Sequence, residues 1–374
     1  MFHLGLRASL AACAASVVTL LAARPSPAEP MDPTLSRLVA DPRCRDDAGR
    51  WMDDAFTRAQ VRAATGREWC TPDNSAFKQL VSQYGFAFAP SAMHSARTTG
   101  FGGFHVSIEG SFTNVDESRG YWQRGTQGPI EESSNRASFV NEDPQSILQL
   151  YSAKIRKSFG FGLELTGAVG FMPKTSILSG GADLRMSLLE GFRSGVPGIF
   201  PDIAVGGGVR TITGSPELQL TVAGLDVQIS KPLPIADSSI LTPWVGYQYL
   251  WIFGDSGMVD LTPGTDAVGY CGYSGPNVPG NGDSERPGVY DGQPVCHGGS
   301  SLDFNNNAVF APARLERQRL LLGVNYRYEM LMVGGQFITD LINPADAQTD
   351  AADAAALDGE DRQWTIVLEA GAMF

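Results

Sequence analysis

The chain has 374 residues and a formal net charge of −12, and its 18 % of charged residues lies below the globular norm of about 25 %. Glycine and proline, with 43 and 23 residues, follow no fixed period, which excludes a collagen-like or a low-complexity disordered chain. The acidity argues against a nucleic-acid partner, because a phosphate backbone requires clustered Lys and Arg.

Residues 1–28 have the features of a secretory signal peptide. The uncharged and largely apolar run from Ala8 to Ala23 is shorter than the roughly 20 residues that a spanning helix needs. The small side chain of Ala28 predicts cleavage before Glu29. A lipobox-like match would make Cys13 a lipidated terminus, and this is the weaker alternative because most of the apolar run follows Cys13.

Four cysteines remain after export, namely Cys44, Cys70, Cys271 and Cys296. In an oxidising compartment a disulfide that closes the chain segment between two of these cysteines stabilises the fold by about 3 kcal/mol. Four cysteines permit three connectivities, and proximity in the chain favours Cys44 with Cys70 and Cys271 with Cys296. A zinc site is the rival interpretation, but no C-x-x-C spacing occurs.

Residues 29–100 are polar with helical spacing of apolar positions. Asp73 and Asn74 supply capping side chains before the run from Ala76 to Val81, which predicts a helix there. We expect a small helical or irregular segment on the periplasmic side of the molecule. If the following sheet had 12 or 14 strands, the segment could instead enter it as a plug.

From Gly103 onward the pattern changes to strict alternation of apolar and polar residues. Ten segments follow this period, and most are longer than the 5 or 6 residues typical of soluble strands. A tilted strand that spans a membrane needs about 9 to 11 residues. Two segments are less regular: Leu148 and Leu150 have the wrong parity, and the apolar face of 217–230 changes phase near Gly224, where we expect a β-bulge.

Charged residues occupy the face of these strands opposite to the apolar one. A soluble β-sandwich also alternates, but its core, about 10 Å thick, could not hold so many arginines, whereas the lumen of a barrel can be polar. The candidates for the lumen are Glu109, Lys154, Arg156, Glu164, Asp183, Arg185, Arg210, Arg317, Arg319, Arg327 and Glu369.

The lengths of the connections support a barrel. The first, seventh and ninth connections are the long ones, so all of them lie at the same end of an antiparallel sheet. Outer-membrane barrels have long extracellular loops and short periplasmic turns. We therefore predict an all-β, closed antiparallel transmembrane barrel of about ten strands, with 8 to 14 possible, over residues 101–374, and a long extracellular loop at about 254–312.

The end of the chain resembles the terminal strand of bacterial outer-membrane β-barrel proteins. In that family a last aromatic residue follows apolar residues at alternate positions and is read by the barrel-assembly machinery. The matching residues are Ile366, Leu368, Ala370, Ala372 and Phe374. The resemblance implies an outer-membrane location, an assembly signal at Phe374, and the assembly machinery and outer-membrane lipids as partners.

The predicted size of the barrel bears on function. About eight strands leave an interior filled by side chains, whereas 16 to 18 leave an aqueous channel. We expect a narrow, selective, porin-like channel that needs no cofactor. A structural or surface-interaction barrel without an open pore is the alternative. The acidic loops at 115–146, 254–312 and 342–362 form either a solvated repulsive rim or sites for divalent cations.

One pair of residues resembles a catalytic pattern. His105 and Ser107 are similar to the H-x-S pair of outer-membrane phospholipases and lipid deacylases, in which base and nucleophile share one face of a strand. Here the pair shares the predicted inner face with Glu109, whereas the family's pair faces lipid. We therefore expect that the protein is not an enzyme and keep a lipid-modifying activity as a remote alternative.

Overall fold

The computed structural model describes residues 29–38, 72–92, 94–128, 130–131, 136–137, 141–190, 200–236, 238–260, 270–273, 294–297 and 307–374. The predicted signal peptide, Cys13, Cys44 and Cys70 lie outside these ranges, so what the sequence indicates for them stays a prediction. Within the described ranges, no helix has the length and apolar character needed to cross a membrane.

Ten antiparallel strands form one sheet that closes on itself, as predicted. Each strand pairs with the next in the chain, and the first pairs with the last, where His105 lies opposite Met373. The strands are β1 (Phe104–Asn114), β2 (Ile147–Ser158), β3 (Leu163–Phe171), β4 (Leu178–Leu189), β5 (Asp202–Thr213), β6 (Leu218–Ser230), β7 (Ser239–Ser256), β8 (Ala313–Tyr328), β9 (Leu331–Asp340) and β10 (Trp364–Met373).

The connections distinguish the two ends of the barrel. The loop end carries the connections after β1, β3, β5, β7 and β9, and the longest of them spans 257–312 because β7 continues to Ser256. The turn end carries the remaining turns and both the start of β1 and the end of β10. By the rule that outer-membrane barrels place long loops outside, we expect the loop end to be extracellular and the turn end to be periplasmic.

Short helices and strands lie in these connections and before the barrel. Helices α2 (Gly120–Gly125) and α3 (Ala351–Ala356) lie in the loops after β1 and β9, and α1 (Asn74–Phe88) precedes the barrel. Single 3₁₀ turns are Leu35–Arg37, Gly160–Gly162 and Ala345–Ala347, and the minor strands are Ile130–Glu131, Arg136–Ala137, Leu233–Ala236, Val259–Asp260, Tyr270–Tyr273, Pro294–His297 and Asn307–Ala308.

The outward face of the barrel is apolar and exposed. Large side chains alternate outward on successive strands, among them Ile108, Ile155, Leu165, Leu184, Leu225 and Leu368. Near the loop end, the rings of Phe112, Tyr151 and Phe171 form a chain of aromatic contacts, with centroids 6.2 and 5.8 Å apart. A closed sheet has no unpaired edge, so the barrel can present this surface to hydrocarbon without exposing backbone polar groups.

Helix α1 of the N-terminal segment lies inside the barrel. Helix α1 begins as predicted, with the Asp73 carboxylate accepting a hydrogen bond from the Ala76 amide at 3.0 Å. Its large apolar side chains are fully buried in one cluster with inward-facing residues of the strands. The helix contributes Phe77, Leu80, Val81, Tyr84 and Phe88, and the strands contribute Leu148, Leu150, Leu218, Leu220, Val222, Leu250, Ile252, Ala313 and Leu315.

The position of this segment differs from the periplasmic placement that we expected from the sequence. Residues 29–38 lie at the loop end, where the Met31 amide donates to the Lys174 carbonyl at 3.0 Å and the Thr34 amide to the Gly125 carbonyl at 2.9 Å. Helix α1 then descends into the lumen, and residues 89–103 continue to the turn end, where β1 begins. The described part of the segment is therefore an internal plug in a ten-stranded barrel.

The plug also explains the two irregular strand patterns. Strand β6 pairs with both neighbours without a register shift, so the expected bulge near Gly224 is wrong. Leu218, Leu220 and Val222 point inward because they contact the apolar plug, while further along the strand the apolar residues point outward to lipid. Leu148 and Leu150 break the parity of β2 for the same reason.

We expect the apolar contact between plug and wall to dominate stability at the loop end. Replacing Leu80, which is fully buried, by Ala should cost about 2–5 kcal/mol in the free energy of unfolding. The matched control is Leu165→Ala on the lipid-facing surface, for which we expect a clearly smaller loss. Urea unfolding of the refolded protein in detergent micelles measures both, and equal losses would contradict a buried plug.

Candidate functional site: the filled lumen

Paired charges line the lumen beyond the apolar cluster. Lys154 on β2 contacts Glu109 on β1 at 2.6 Å, and Arg317 on β8 contacts Asp340 on β9 at 2.5 Å. Both pairs are almost fully buried. Because an unpaired charge buried in a protein costs several kcal/mol, such pairs must form together with the barrel. Three further pairs follow the same rule: Arg156 with Glu164, Arg185 with Asp226, and Arg210 with Asp183.

Glycines in β5 give these side chains room to lie across the strand. A Cβ on Gly206 would stand 3.0 Å from an Asp226 carboxylate oxygen, and one on Gly208 would stand 1.9 Å from an Asp183 oxygen. The glycines thus allow Arg185 on β4 to reach Asp226 on β6 over the intervening strand. The run Gly206–Gly208 serves packing in the lumen, as its position in a strand pattern indicates.

Two arginines hold the C-terminal turn of α1. Arg319 donates to the carbonyl oxygens of Phe86 at 3.2 Å and Pro90 at 2.7 Å, and Arg317 donates to Ser82 Oγ at 2.6 Å. Both guanidinium carbons also lie about 5 Å from the centroid of the Phe86 ring. A cation at the C-terminus of a helix is favourable because the last carbonyl groups carry partial negative charge. The barrel wall therefore fixes the plug where the helix ends.

Residues 89–100 continue this attachment through the polar part of the lumen. Ser91 Oγ lies between Glu109 and Lys154, at 2.9 and 2.6 Å, and the Arg185 guanidinium donates to the His94 carbonyl at 3.3 Å. A cavity beside His94, Arg156 and Arg185 measures about 10 Å³, which is enough for about one water molecule.

A buried hydrogen-bond network attaches the loops after β1 and β9 to α1 at the loop end of the barrel. Tyr121 donates to a Glu360 carboxylate oxygen at 2.6 Å, and Gln83 on α1 donates to the other oxygen at 2.9 Å. Trp122 Nε1 in turn donates to the side-chain oxygen Oε1 of Gln83 at 2.7 Å. Nearby, Lys78 of α1 pairs with Asp353 of α3. The loops after β1 and β9 are thus both tied to the plug.

The structure places ten of the eleven candidate lumen residues inside. Arg327 is the exception, because it is the second-last residue of β8, at the turn end of the barrel, and its side chain is exposed. Its guanidinium donates to the Glu329 carbonyl at 2.9 Å. The others face inward and all but the half-buried Asp183 are buried: Glu109, Lys154, Arg156, Glu164, Arg185, Arg210, Arg317, Arg319 and Glu369.

The H-x-S pair also faces the lumen. His105 and Ser107 are both buried, and within the described residues neither ring nitrogen of His105 has a hydrogen-bond partner. A lipid substrate would have to pass the barrel wall to reach them. The absence of enzymatic activity stays a prediction. An assay of lipid deacylation that compares the native protein with Ser107→Ala tests it, and equal activity of the two removes the catalytic interpretation.

The remaining site predictions concern the loops and the chain end. The backbones of Cys271 and Cys296 lie directly opposite each other in a short antiparallel pair, and the disulfide itself stays a prediction. Among the residues that the structure describes, no group of His, Cys, Asp or Glu side chains could hold a metal ion. Phe374 exchanges two backbone hydrogen bonds with Phe104, at 2.7 and 2.9 Å, which extends the seam of the barrel.

Comparison with known proteins gives structural matches only. No family model and no curated protein matches the chain. Ail of Yersinia pestis in complex with sucrose octasulfate matches with 9 % identity and a TM-score of 0.23, over 74 % of this chain and 100 % of that chain. Omp33 of Acinetobacter baumannii matches with 8 % identity and a TM-score of 0.24, over 73 % and 98 %. LpxR of Salmonella typhimurium matches with 11 % identity and a TM-score of 0.28, over 72 % and 100 %.

Scores of this size support no inference about activity, and the architecture itself decides the class. A closed antiparallel sheet with an apolar exterior, a charged interior and long loops at one end is the arrangement of bacterial outer-membrane β-barrels. The protein is such a barrel. Its outer-membrane location and its fold class are thereby confirmed.

The buried ion pairs lead to a test by substitution. Arg317→Met leaves the Asp340 carboxylate buried without its partner, and we expect a loss of about 3–5 kcal/mol in the free energy of unfolding. The double variant Arg317→Met, Asp340→Asn should recover much of this loss, because no charge is then stranded. Arg327→Met is the exposed control and should change little. Urea titration measures the free energy of unfolding of all three variants. If Arg317→Met were as stable as the native protein, the buried pairing of Arg317 with Asp340 would be contradicted.

The loop network should give a characteristic pH dependence. Burial raises the pKa of the Glu360 carboxyl, and the hydrogen bonds from Tyr121 and Gln83 oppose this only in part. A carboxyl whose pKa is raised in the folded state destabilises the protein once the pH exceeds its unfolded value of about 4.3. The stability of the native protein relative to Glu360→Gln should therefore fall as the pH rises above about 4.3 towards the raised pKa of the folded state. A difference that is independent of pH would contradict the network.

Proposed function

We propose that the protein is an outer-membrane barrel closed by its own N-terminal segment, which serves as a structural or surface-interaction barrel and not as an open pore. The observation that carries this proposal is helix α1 in the loop-end half of the lumen, with residues 89–100 below it. Together they occupy the cross-section through which a solute would have to pass.

The energy of plug removal supports a permanent closure. Five large side chains of α1 are fully buried in the apolar cluster at the loop end, and burial of each stabilises the folded state by roughly 1.5–3 kcal/mol. Exposure of all five would cost on the order of 10 kcal/mol, which corresponds to an open population of roughly one in 10⁷. The arginines that hold Phe86 and Pro90 would lose their contacts with the plug as well. Thermal opening at this level cannot sustain transport.

The narrow, porin-like channel expected from ten strands is therefore the second candidate. It requires a continuous aqueous path past the plug. A cavity of about 290 Å³ lies beside Arg97 at the turn end, whereas the cavity beside His94, Arg156 and Arg185 measures about 10 Å³ and holds about one water molecule. The surface role is favoured because the loops after β1 and β9 are fastened to a rigid plug. A loop that is ordered before binding saves the entropy that a partner would otherwise have to supply.

Single-channel recording of the refolded full chain in planar bilayers tests the proposal. We expect no conductance steps from the native protein. Leu80→Asp, which places a charge in the apolar cluster of the plug, should produce fluctuating conductance because the plug detaches while the strands are unchanged. Ser75→Asp, at an exposed position of the same helix, is the matched control and should stay silent.

Steady conductance steps from the native protein would contradict the proposal and favour the porin-like channel. Silence from Leu80→Asp as well, in a preparation that retains the native strand content, would mean that something other than the plug closes the lumen, and it too would contradict the proposal.

A further inference from the structure

A cavity of about 290 Å³ lies at the turn end of the lumen, where the plug meets the start of β5 and the β6–β7 turn. We call it the turn-end vestibule and define it by Arg97 of the plug and by Asp202, Lys231, Pro234 and Ile240 of the wall. Small-molecule sites in proteins begin at about 300 Å³. The vestibule is therefore large enough to hold a small ligand.

The wall positions Arg97 and leaves part of its guanidinium unused. Its Nε donates to an Asp202 carboxylate oxygen at 3.2 Å, and the Asp202 side chain is almost fully buried. The backbone on both sides is fixed as well, because the amides of Ala96 and Thr98 donate to side chains at the turn-end termini of β6 and β4, at 3.1 and 2.7 Å. Within the described residues, Nη1 and Nη2 of Arg97 have no hydrogen-bond partner. These donors are available to a ligand.

The vestibule is positively charged, although the chain as a whole carries a net charge of −12. Arg97 and Lys231 bring two positive charges to it, and Asp202 brings one negative charge. The Lys231 ammonium donates to the Phe200 carbonyl at 3.2 Å, which holds its charge at the edge of the vestibule. A cavity with this balance of charge attracts anions.

The remaining walls of the vestibule are apolar. Pro234 lies opposite Ile240 where the minor strand Leu233–Ala236 pairs with β7, and Pro232 and the half-exposed Phe200 complete this side. Proline has no backbone N–H to offer a ligand. A few charged groups among apolar walls are typical of sites for small organic molecules. The vestibule therefore suits an anionic group that is attached to a small organic part.

A phosphate ester matches the charged groups better than a carboxylate does. The planar fork of an arginine binds two oxygens of either anion, and a lysine binds phosphate as a point charge. A carboxylate has two oxygens, and the Arg97 fork would occupy both. A phosphate group presents three acceptor oxygens, so it can accept from Arg97 and Lys231 together.

We propose that the turn-end vestibule binds the phosphate group of a small phosphate ester. Arg97 is the main donor, Lys231 is the second cation, and Pro234 and Ile240 contact the organic part of the ligand. The ester is either a free soluble molecule or the headgroup of a phospholipid in the leaflet at the turn end, because both present the same group. Binding here does not require passage through the lumen, so the site goes beyond the role of a closed barrel.

Isothermal titration calorimetry of the refolded full chain in dodecyl maltoside, a detergent without phosphate, tests the site. The probes are glycerol 3-phosphate and its dihexanoyl ester, a short-chain phosphatidic acid, and sodium acetate is the reference anion. Heats measured with protein-free micelles are subtracted. We expect saturable binding of glycerol 3-phosphate and clearly weaker binding of acetate. Tighter binding of the dihexanoyl ester identifies the lipid headgroup as the ligand, and equal or weaker binding identifies the free ester.

Substitutions in the vestibule test the assigned roles. Arg97→Gln should weaken the binding of glycerol 3-phosphate by about 10- to 100-fold. Lys231→Gln should weaken it by about two- to fivefold. Ile240→Trp fills the vestibule without changing its charge and should abolish binding. The last two variants serve if Arg97→Gln does not fold because Asp202 loses its partner. The matched control is Arg327→Gln, an exposed arginine at the turn end outside the vestibule, and it should bind like the native protein.

Three results would overturn the proposal. The first is the absence of saturable binding of both phosphate esters to the native protein at millimolar concentration. The second is binding that Arg97→Gln and Ile240→Trp leave unchanged, because the ester would then bind elsewhere. The third is binding of acetate as tight as that of glycerol 3-phosphate, because charge alone would then select the ligand.

Discussion

The contact between helix α1 and the inner wall of the barrel is the constraint on which the rest of the structure depends. A ten-stranded barrel is slightly wider than one that its own side chains can fill. Helix α1 occupies that surplus space at the loop end with apolar side chains. Without it, Leu218, Leu220, Leu250 and Ile252 would line a water-filled cavity, which is an unfavourable exposure of apolar surface. Helix α1 therefore completes the core of the barrel at the loop end.

The charges of the lumen are arranged around this constraint. The Arg319 guanidinium donates hydrogen bonds to backbone carbonyl groups at the end of α1. Arg317 bonds both the helix and Asp340. The charged residues of the lumen thus have partners on the neighbouring strand or the next strand but one of the wall, or on the plug. Buried pairs contribute little net stability compared with apolar packing, but they penalise any other register or plug position. The ionic interior selects one arrangement, and the apolar cluster supplies most of the energy that stabilises it.

Much of the barrel could be predicted from the sequence, because alternation with period two is imposed by the pleat of every strand. The strand number, the grouping of the long loops at one end and the inward charges all follow from it. The position of the plug could not be predicted, because an amphipathic helix at 74–88 carries no mark of the lumen into which it folds. The signal was nevertheless present in Leu148, Leu150 and the phase change of β6. Apolar residues on a supposedly ionic face required an apolar partner inside.

The most direct measurement of the central claim is hydrogen–deuterium exchange of the refolded full chain. If α1 lies in the lumen, the amides of residues 74–88 exchange as slowly as those of β6 and β7, and all of them exchange together when the barrel unfolds. If these amides instead exchange many times faster while the strand amides stay protected, α1 lies outside the barrel, and the closed lumen described above is contradicted.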